Sequence, residues 1–135
     1  MSHDLVGAAR AARLKAHAPY SNFRVGAAVR DERGRVFAGC NIENAAYPQG
    51  WCAETSAITG LVMAGSREIT EVAVVGAGSG LVTPCGGCRQ KLREFAGPDV
   101  MIHVCGEDGA IRRTFTLDEL LPFSFGPEHL DLKSS

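Results

Sequence analysis

The sequence has no apolar run approaching the ~20 residues that span a bilayer. Its first residues, Met1-Ser2-His3-Asp4, lack the basic and then apolar layout of a signal peptide. Together these absences predict a cytoplasmic protein with no membrane partner. A long run of Lys or Arg is also missing. There are 14 basic and 15 acidic residues, for a formal net charge of −1. Polyanions are bound through clustered cations, so no nucleic-acid polymer is expected as a partner. The glycine-rich stretch 76–83 contains no lysine-bearing phosphate-loop pattern and reads as a connector. No repeat, linker or low-complexity segment divides the 135 residues, and 45% of them are apolar, ample for one core. A single domain over 1–135 is expected.

What the chain does have is a cysteine pattern. Five cysteines is an odd number. Cys40 and Cys105 sit in strand-like apolar runs and read as two buried free thiols. The other three form two short segments, Cys52-Ala53-Glu54 and Pro84-Cys85-Gly86-Gly87-Cys88. The C-x-x-C spacing of Cys85 and Cys88 lets two sulfurs reach one metal ion. Cys52 lies 33 residues before Cys85, far enough to arrive from a separate element. Alone, a C-x-x-C fits a redox motif, half of a structural zinc ribbon, or two thiols without metal. Three thiolates without a fourth protein ligand point instead to a zinc site with one open position, since structural zinc is normally closed by four.

Each residue type has a reason to be there. Zinc prefers soft thiolates and imidazoles and lowers the pKa of bound water to roughly 7. A carboxylate close to that water is suited to moving protons, and Glu54 is the only such group next to a candidate ligand. Three thiolates leave a net negative cluster that needs an offset. Apolar runs follow both segments, with Ala57, Ile58 and Leu61 after the first and Leu92 and Phe95 after the second. Both therefore read as helix starts, whose partial positive charge and free N–H groups lower thiol pKa values. Arg89 is a candidate for the remaining offset. Gly86 and Gly87 are expected to let the backbone turn tightly between the cysteines.

The rest of the chain reads as alternating elements. Residues 3–17 predict a helix with Leu5, Val6, Ala9, Ala12 and Ala16 on one face. Phe23–Arg30, a turn over Asp31-Glu32-Arg33-Gly34, and Arg35–Cys40 predict a hairpin. Cys52–Ala64 predicts a helix stopped by Gly65. Ile69–Val75 predicts a buried central strand. Residues 88–96 predict a helix, and Val100–Cys105 and Ala110–Phe115 predict two further strands. Thr116 opens a short helix with a capping-like start. His103 is expected to be structural or exposed, and Leu132–Ser135 disordered. This order predicts an α/β fold, a three-layer α/β/α sandwich with a mixed sheet of about five strands. The first two strands should be antiparallel. The third and fourth, joined by a helix, should be parallel. The pairing of the last is open.

Strand alternation puts Asn41 and Glu43 on one side of the chain. They are either hydrogen-bonding groups for sugar hydroxyls or a turn-forming Asn beside an exposed Glu. Phe23 is either core packing or a wall against a flat base. Trp51 reads as interface packing. Phe123 and Phe125 lie in a short tail that either folds on its own core or meets another subunit.

The C-A-E and P-C-x-x-C pair resembles the signature of zinc deaminases that act on nucleobases. More widely, the chain resembles the small, homotetrameric cytidine deaminases, through five blocks in the family's order. These are residues 19–28 (PYSNFRVGAA), 39–47 (GCNIENAAY), 52–54, 84–90 (PCGGCRQ), and Leu120-Leu121-Pro122 followed by Phe125. The resemblance implies the three-layer fold and one zinc ion per subunit, held by Cys52, Cys85 and Cys88. It implies deamination of the free pyrimidine nucleosides cytidine and 2′-deoxycytidine in pyrimidine salvage, with Glu54 carrying protons. It also implies a wall by Phe23, a base edge fixed near Ala53, and ribose binding by Asn41 and Glu43. Ala46 and Tyr47 would lie near a neighbouring subunit's site, and Phe125 would reach another subunit's pocket. One position departs from part of the family: some relatives carry Arg after the catalytic Glu, where this chain has Thr55. Two other classes stay open, a deaminase of another cytosine-containing compound and a non-catalytic zinc-binding module.

Overall fold

In a computed structural model that describes residues 2–130, five strands form one mixed sheet with helices on both faces. The first helix, α1 (Ser2–Arg13), buries Leu5, Val6 and Ala9. They pack on one sheet face against Ala28, Ala73, Val75 and Cys105. The helix ends at Arg13, before the limit of 17 that its apolar spacing predicts. Residues beyond it are drawn into extended pairing. His17 N–H donates to Asn41 O at 3.0 Å, and Glu43 N–H donates to His17 O at 2.8 Å.

The hairpin is β1 (Gly26–Asp31) and β2 (Val36–Cys40), paired antiparallel. Asp31 organises its turn. Its buried carboxylate accepts from the N–H groups of Arg33 and Arg35, from Arg35 Nε at 2.9 Å and from Ser66 Oγ at 2.6 Å. Burial works to raise its pKa, but the Ser66 and Arg35 hydrogen bonds win and hold it at about 2. Gly34 takes φ +82°, the left-handed conformation that a side chain disfavours.

Helix α2 (Ala53–Met63) stops at Gly65, with φ +90° and Ser66 N–H bonded back to Leu61 O. Strand β3 (Ile69–Val75) follows, with the predicted limits. Then come α3 (Gly86–Phe95), β4 (Met101–Cys105), β5 (Ile111–Thr116) and α4 (Leu117–Leu120). A full capping box between Thr116 and Glu119 opens α4, as expected. Helix α3 begins two residues earlier than expected. Gly86 and Gly87 form its first turn, and a side chain at either would meet open space. They are not required for a tight turn.

The strand order is β2-β1-β3-β4-β5. Strand β1 is antiparallel to both neighbours, β3 and β4 are parallel, and β5 is antiparallel to β4 at the edge. The second core lies on the face opposite α1. Ala57, Ile58 and Leu61 of α2, Leu92 of α3 and Leu117 of α4 pack there on Ala27, Val29, Val72, Val74 and Ile102. Helices thus cover both faces, in the expected three layers. His103 is buried between Thr114 Oγ1 at 2.8 Å and Glu71 Oε2 at 2.6 Å, a structural role. The aromatic tail does not fold onto the core. Phe123 is fully exposed, and Phe125 stacks on His129 with ring centroids 5.2 Å apart. Residues 132–135 lie outside the described residues. Among the described residues no helix is long and apolar enough to cross a membrane.

Two glycines set the spacing of the layers. A Cβ on Gly26 would sit 2.0 Å from Ala9 O in α1. A Cβ on Gly39 would sit 2.4 Å from Ser56 Cβ and 2.5 Å from Ala57 N in α2. Ser56 Oγ also donates to Cys40 O at 2.8 Å, so helix and strand are bonded at this contact. Gly39→Ala should force α2 outward and cost about 1–3 kcal/mol of stability, read from urea unfolding at neutral pH. An unchanged midpoint would show that the contact yields at no cost.

Candidate metal centre and active site

Strands β2 and β3 both run antiparallel to β1, which lies between them, so they run parallel to each other. The segments that leave their C-terminal ends therefore emerge at the same edge of the sheet. One leads to Cys52 and α2, the other to Cys85 and α3. Each cysteine is the N-cap of its helix, in extended conformation. Its carbonyl accepts the first helical bond, from Ser56 N–H at 3.0 Å and from Arg89 N–H at 2.9 Å. Cys88 sits one turn into α3 and is fully buried.

The topology brings the three sulfurs together. The Sγ atoms of Cys52, Cys85 and Cys88 all lie within 4.8 Å of one another, and those of Cys52 and Cys85 are 3.8 Å apart. None is in a disulfide. Burial pushes the thiols of Cys52 and Cys88 up. Burial also opposes ionisation of Cys85, but hydrogen bonds from Cys88 outweigh it and leave that thiol below its usual value. Thiols so close cannot all ionise without a cation between them. This donor set fits a soft divalent ion such as zinc, bound by three sulfurs, and matches the expected ligands.

Glu54 is in the first turn of α2, 4% exposed, and its carboxyl is raised above the usual range by burial. It lines a cavity of about 220 Å³ with Cys52, Cys85, Ala53, Phe23, Val25, Asn41, Val82 and Thr83. Charge compensation differs from expectation. Arg89 does not turn to the sulfurs; its guanidinium donates to Pro84 O, Leu120 O and Thr83 Oγ1 at 2.7–2.9 Å. The buried Thr55 hydroxyl lies 3.7 Å from Cys88 Sγ.

Of the sequence-predicted substrate residues, Phe23, Asn41 and Ala53 share this cavity with Cys52, Cys85 and Glu54. The Asn41 amide is engaged at both ends, accepting from Val25 N–H at 2.9 Å and donating to Phe23 O at 2.9 Å. Glu43 and Tyr47 line a neighbouring cavity with Tyr20, Ser21, Asn44 and Gly50. The Ser21 hydroxyl holds the Glu43 carboxyl below its usual range, and the Tyr20 and Ser21 N–H groups help it against the cost of burial. Ala46 is exposed and caps the short turn at Tyr47–Gln49. Phe125 is not on the cysteine cavity; its carbonyl is held by Gln90 Nε2 of α3. Trp51 is half exposed and pairs through its backbone with Ile42. Cys105 is a buried thiol raised to about 11 by burial, while Cys40 is only half-buried.

Sequence reasoning missed Val82 and Thr83 as cavity walls. Their only signal was adjacency to Pro84-Cys85.

The sequence profile of the cytidine and deoxycytidylate deaminase zinc-binding region matches residues 1–104. The chain belongs to this deaminase family. A cytidine deaminase of Sporosarcina psychrophila is 41% identical over 126 residues, covering 93% of this chain and 92% of that one. The crystal structure of a cytidine deaminase from Burkholderia pseudomallei superposes with TM-score 0.86 at 43% identity, covering 93% of this chain and 99% of that one. One from Mycobacterium tuberculosis gives TM-score 0.81 at 37% identity, covering 93% and 97%. The deaminase fold and the three-cysteine cluster are thus features of this chain.

If the cluster is a metal centre, Cys88→Ala should purify with little zinc by atomic emission, because two sulfurs hold the ion far less tightly than three. Full occupancy in that variant would remove Cys88 from the ligand set.

Proposed function

We propose that the protein catalyses hydrolytic deamination of cytidine and 2′-deoxycytidine to uridine and 2′-deoxyuridine, releasing ammonia. The observation that carries this reading is the sharing of one small cavity by a buried carboxylate, the sulfurs of Cys52 and Cys85, and an aromatic ring. The cavity has room for a flat heterocycle, and Phe23 gives it a face to lie against. Cys52, Cys85 and Cys88 would hold one zinc ion. Bound zinc supplies a Lewis-acidic centre that makes water acidic enough to ionise near neutral pH.

The remaining work falls to the chain's own groups. Glu54 takes a proton from the attacking water and passes it to N3 of the ring as a C4–O bond forms. Glu54 then moves the second proton to the amino group on C4, the C4–N bond breaks, and ammonia leaves with the carbonyl in place. A buried carboxylate suits this, because desolvation narrows the gap between its protonated and ionised forms. Backbone groups near Ala53 fix the base edge, and Asn41 and Glu43 hold the ribose. Glu43 is anionic, so a phosphate on the sugar would be repelled.

Homotetramer formation is part of the proposal. Its support is the exposure of Tyr47, Trp51, Phe123 and Phe125, apolar area that a partner subunit would cover. Tyr47, Ala46 and Phe125 would then complete a neighbour's site. A cytoplasmic place in pyrimidine salvage follows from a free nucleoside substrate.

Loss of absorbance at the cytosine band, followed with zinc-loaded protein and cytidine, tests the reaction. Glu54→Gln should retain zinc and lose at least about a thousandfold in kcat, since no group is left to carry the proton. Retention of most of the turnover would remove Glu54 from its role. CMP should be a poorer substrate than cytidine by at least about tenfold in kcat/KM. Comparable values would refute nucleoside selection by Glu43.

A further inference from the structure

The loop from 76 to 83 has no strand or helix of its own, yet it ends on Val82 and Thr83, two walls of the cavity. Arg89 of α3 holds its end at Thr83, and the hairpin of β4 and β5 holds its middle. Arg112, on β5, donates through Nη1 to Gly78 O at 2.8 Å and to Gly80 O at 3.1 Å. Glu107, in the turn before β5, accepts from Gly78 N–H at 3.0 Å. Gly78 is thus held at both its N–H and its carbonyl, in the left-handed conformation at φ +81°. Gly106 makes the reach of Arg112 possible. A Cβ there would sit 2.6 Å from Arg112 Nη2 and 2.8 Å from its Nε. At its start the loop folds back on itself, with Val82 so close over Gly76 that a Cβ would lie 2.5 Å from it.

The hairpin also connects to the chain beside Phe23, another lining residue. Glu107 pairs with Arg13 Nη2 of α1 at 3.5 Å, and Arg13 Nε donates to Arg24 O at 3.0 Å, one residue from Phe23. A continuous polar chain therefore runs from the Phe23 side, through Arg13 and Glu107, to Gly78 and the Val82–Thr83 side. Arg112 closes it. None of these side chains lines the cavity or touches the cysteines.

We propose that Arg112 is a positioning residue for the nucleoside cavity. It holds the loop at Gly78 and Gly80 and thereby sets the distance between the Val82–Thr83 wall and Phe23. The inference rests on the reading of this cavity as the nucleoside site. Loss of the clamp should loosen one wall while leaving the three cysteines and Glu54 in place. Binding should therefore weaken more than the chemical step.

Two variants and three readouts test it. Arg112→Ala removes the clamp. Gly106→Ala leaves Arg112 in the sequence but displaces its guanidinium. In both, KM for cytidine should rise about fivefold, with kcat within about twofold of wild type and zinc content unchanged. In both, the amide of Gly78, whose acceptor is Glu107 Oε2, should exchange with deuterium about tenfold faster than in wild type. Arg112→Lys, which keeps a donor but not the fork, should fall between Arg112→Ala and wild type. An unchanged KM, unchanged exchange at Gly78, or loss of zinc overturns the proposal. A wild-type protein without cytidine turnover would fail the reading of the cavity instead. Exchange then decides alone: acceleration in both variants upholds the clamp, and no change overturns it.

Discussion

Three sulfurs within 4.8 Å of one another is the constraint on which the rest of the site depends. Sulfurs at that separation repel once ionised, so the fold must supply positive potential around them. It does so with the N-termini of α2 and α3, each capped by one of the cysteines themselves. Among the described residues no basic side chain lines the cavity, and Arg89 spends its donors on the carbonyls of 84 and 120 and on Thr83. A divalent cation completes the balance, which is why the donor set reads as a metal centre and not as a redox pair.

The sheet makes that arrangement possible. Strand β1 separates two strands that run the same way, and the helices that follow them start at one edge. Ligands in open α/β sheets gather at such C-terminal strand edges, and this site obeys the same geometry. The spacing of the layers is equally tight. Gly26 and Gly39 remove side chains where α1 and α2 approach the sheet, so the helix that carries Glu54 lies directly on its strand. Position at the cavity is therefore a consequence of close backbone contact between α2 and β2 at Gly39, not of side-chain reach. The loop at 76–83 is held by side chains instead, by Arg112 and Glu107 at Gly78 and Gly80 and by Arg89 at Thr83.

Much of the structure was legible in the chain before folding was considered. The period of apolar residues located all five strands and the major helices, because burial on one face leaves its mark at fixed spacing. The limits of Ile69–Val75 match expectation, since its Val72–Val75 half is buried on both faces and is continuously apolar. Helix α1 was read too long at its C-terminal end, because the pairing of His17 with Asn41 and Glu43 is a long-range contact with no local signature. The glycines between the cysteines were read as a turn and proved to be helix, because a helix start tolerates glycine as readily as a turn does.

The division of the site follows the same line. The clustering of Cys52, Cys85 and Cys88 was legible from sequence, because metal ligation requires particular atoms at particular spacings along the chain, and so was the presence of a carboxylate, Glu54, beside them. So were the helix starts beneath them and the alternation of helices and strands. What the tertiary structure decided was company: that Val82 and Thr83 line one cavity with Phe23, that the Asn41 amide is bonded to the backbone of 23 and 25, that Glu43 and Tyr47 share a second cavity, and that Arg89 serves the chain instead of the sulfurs. These depend on contacts between residues far apart in the chain. Such contacts are selected by shape and hydrogen-bond geometry in three dimensions, and residue identity alone does not specify them.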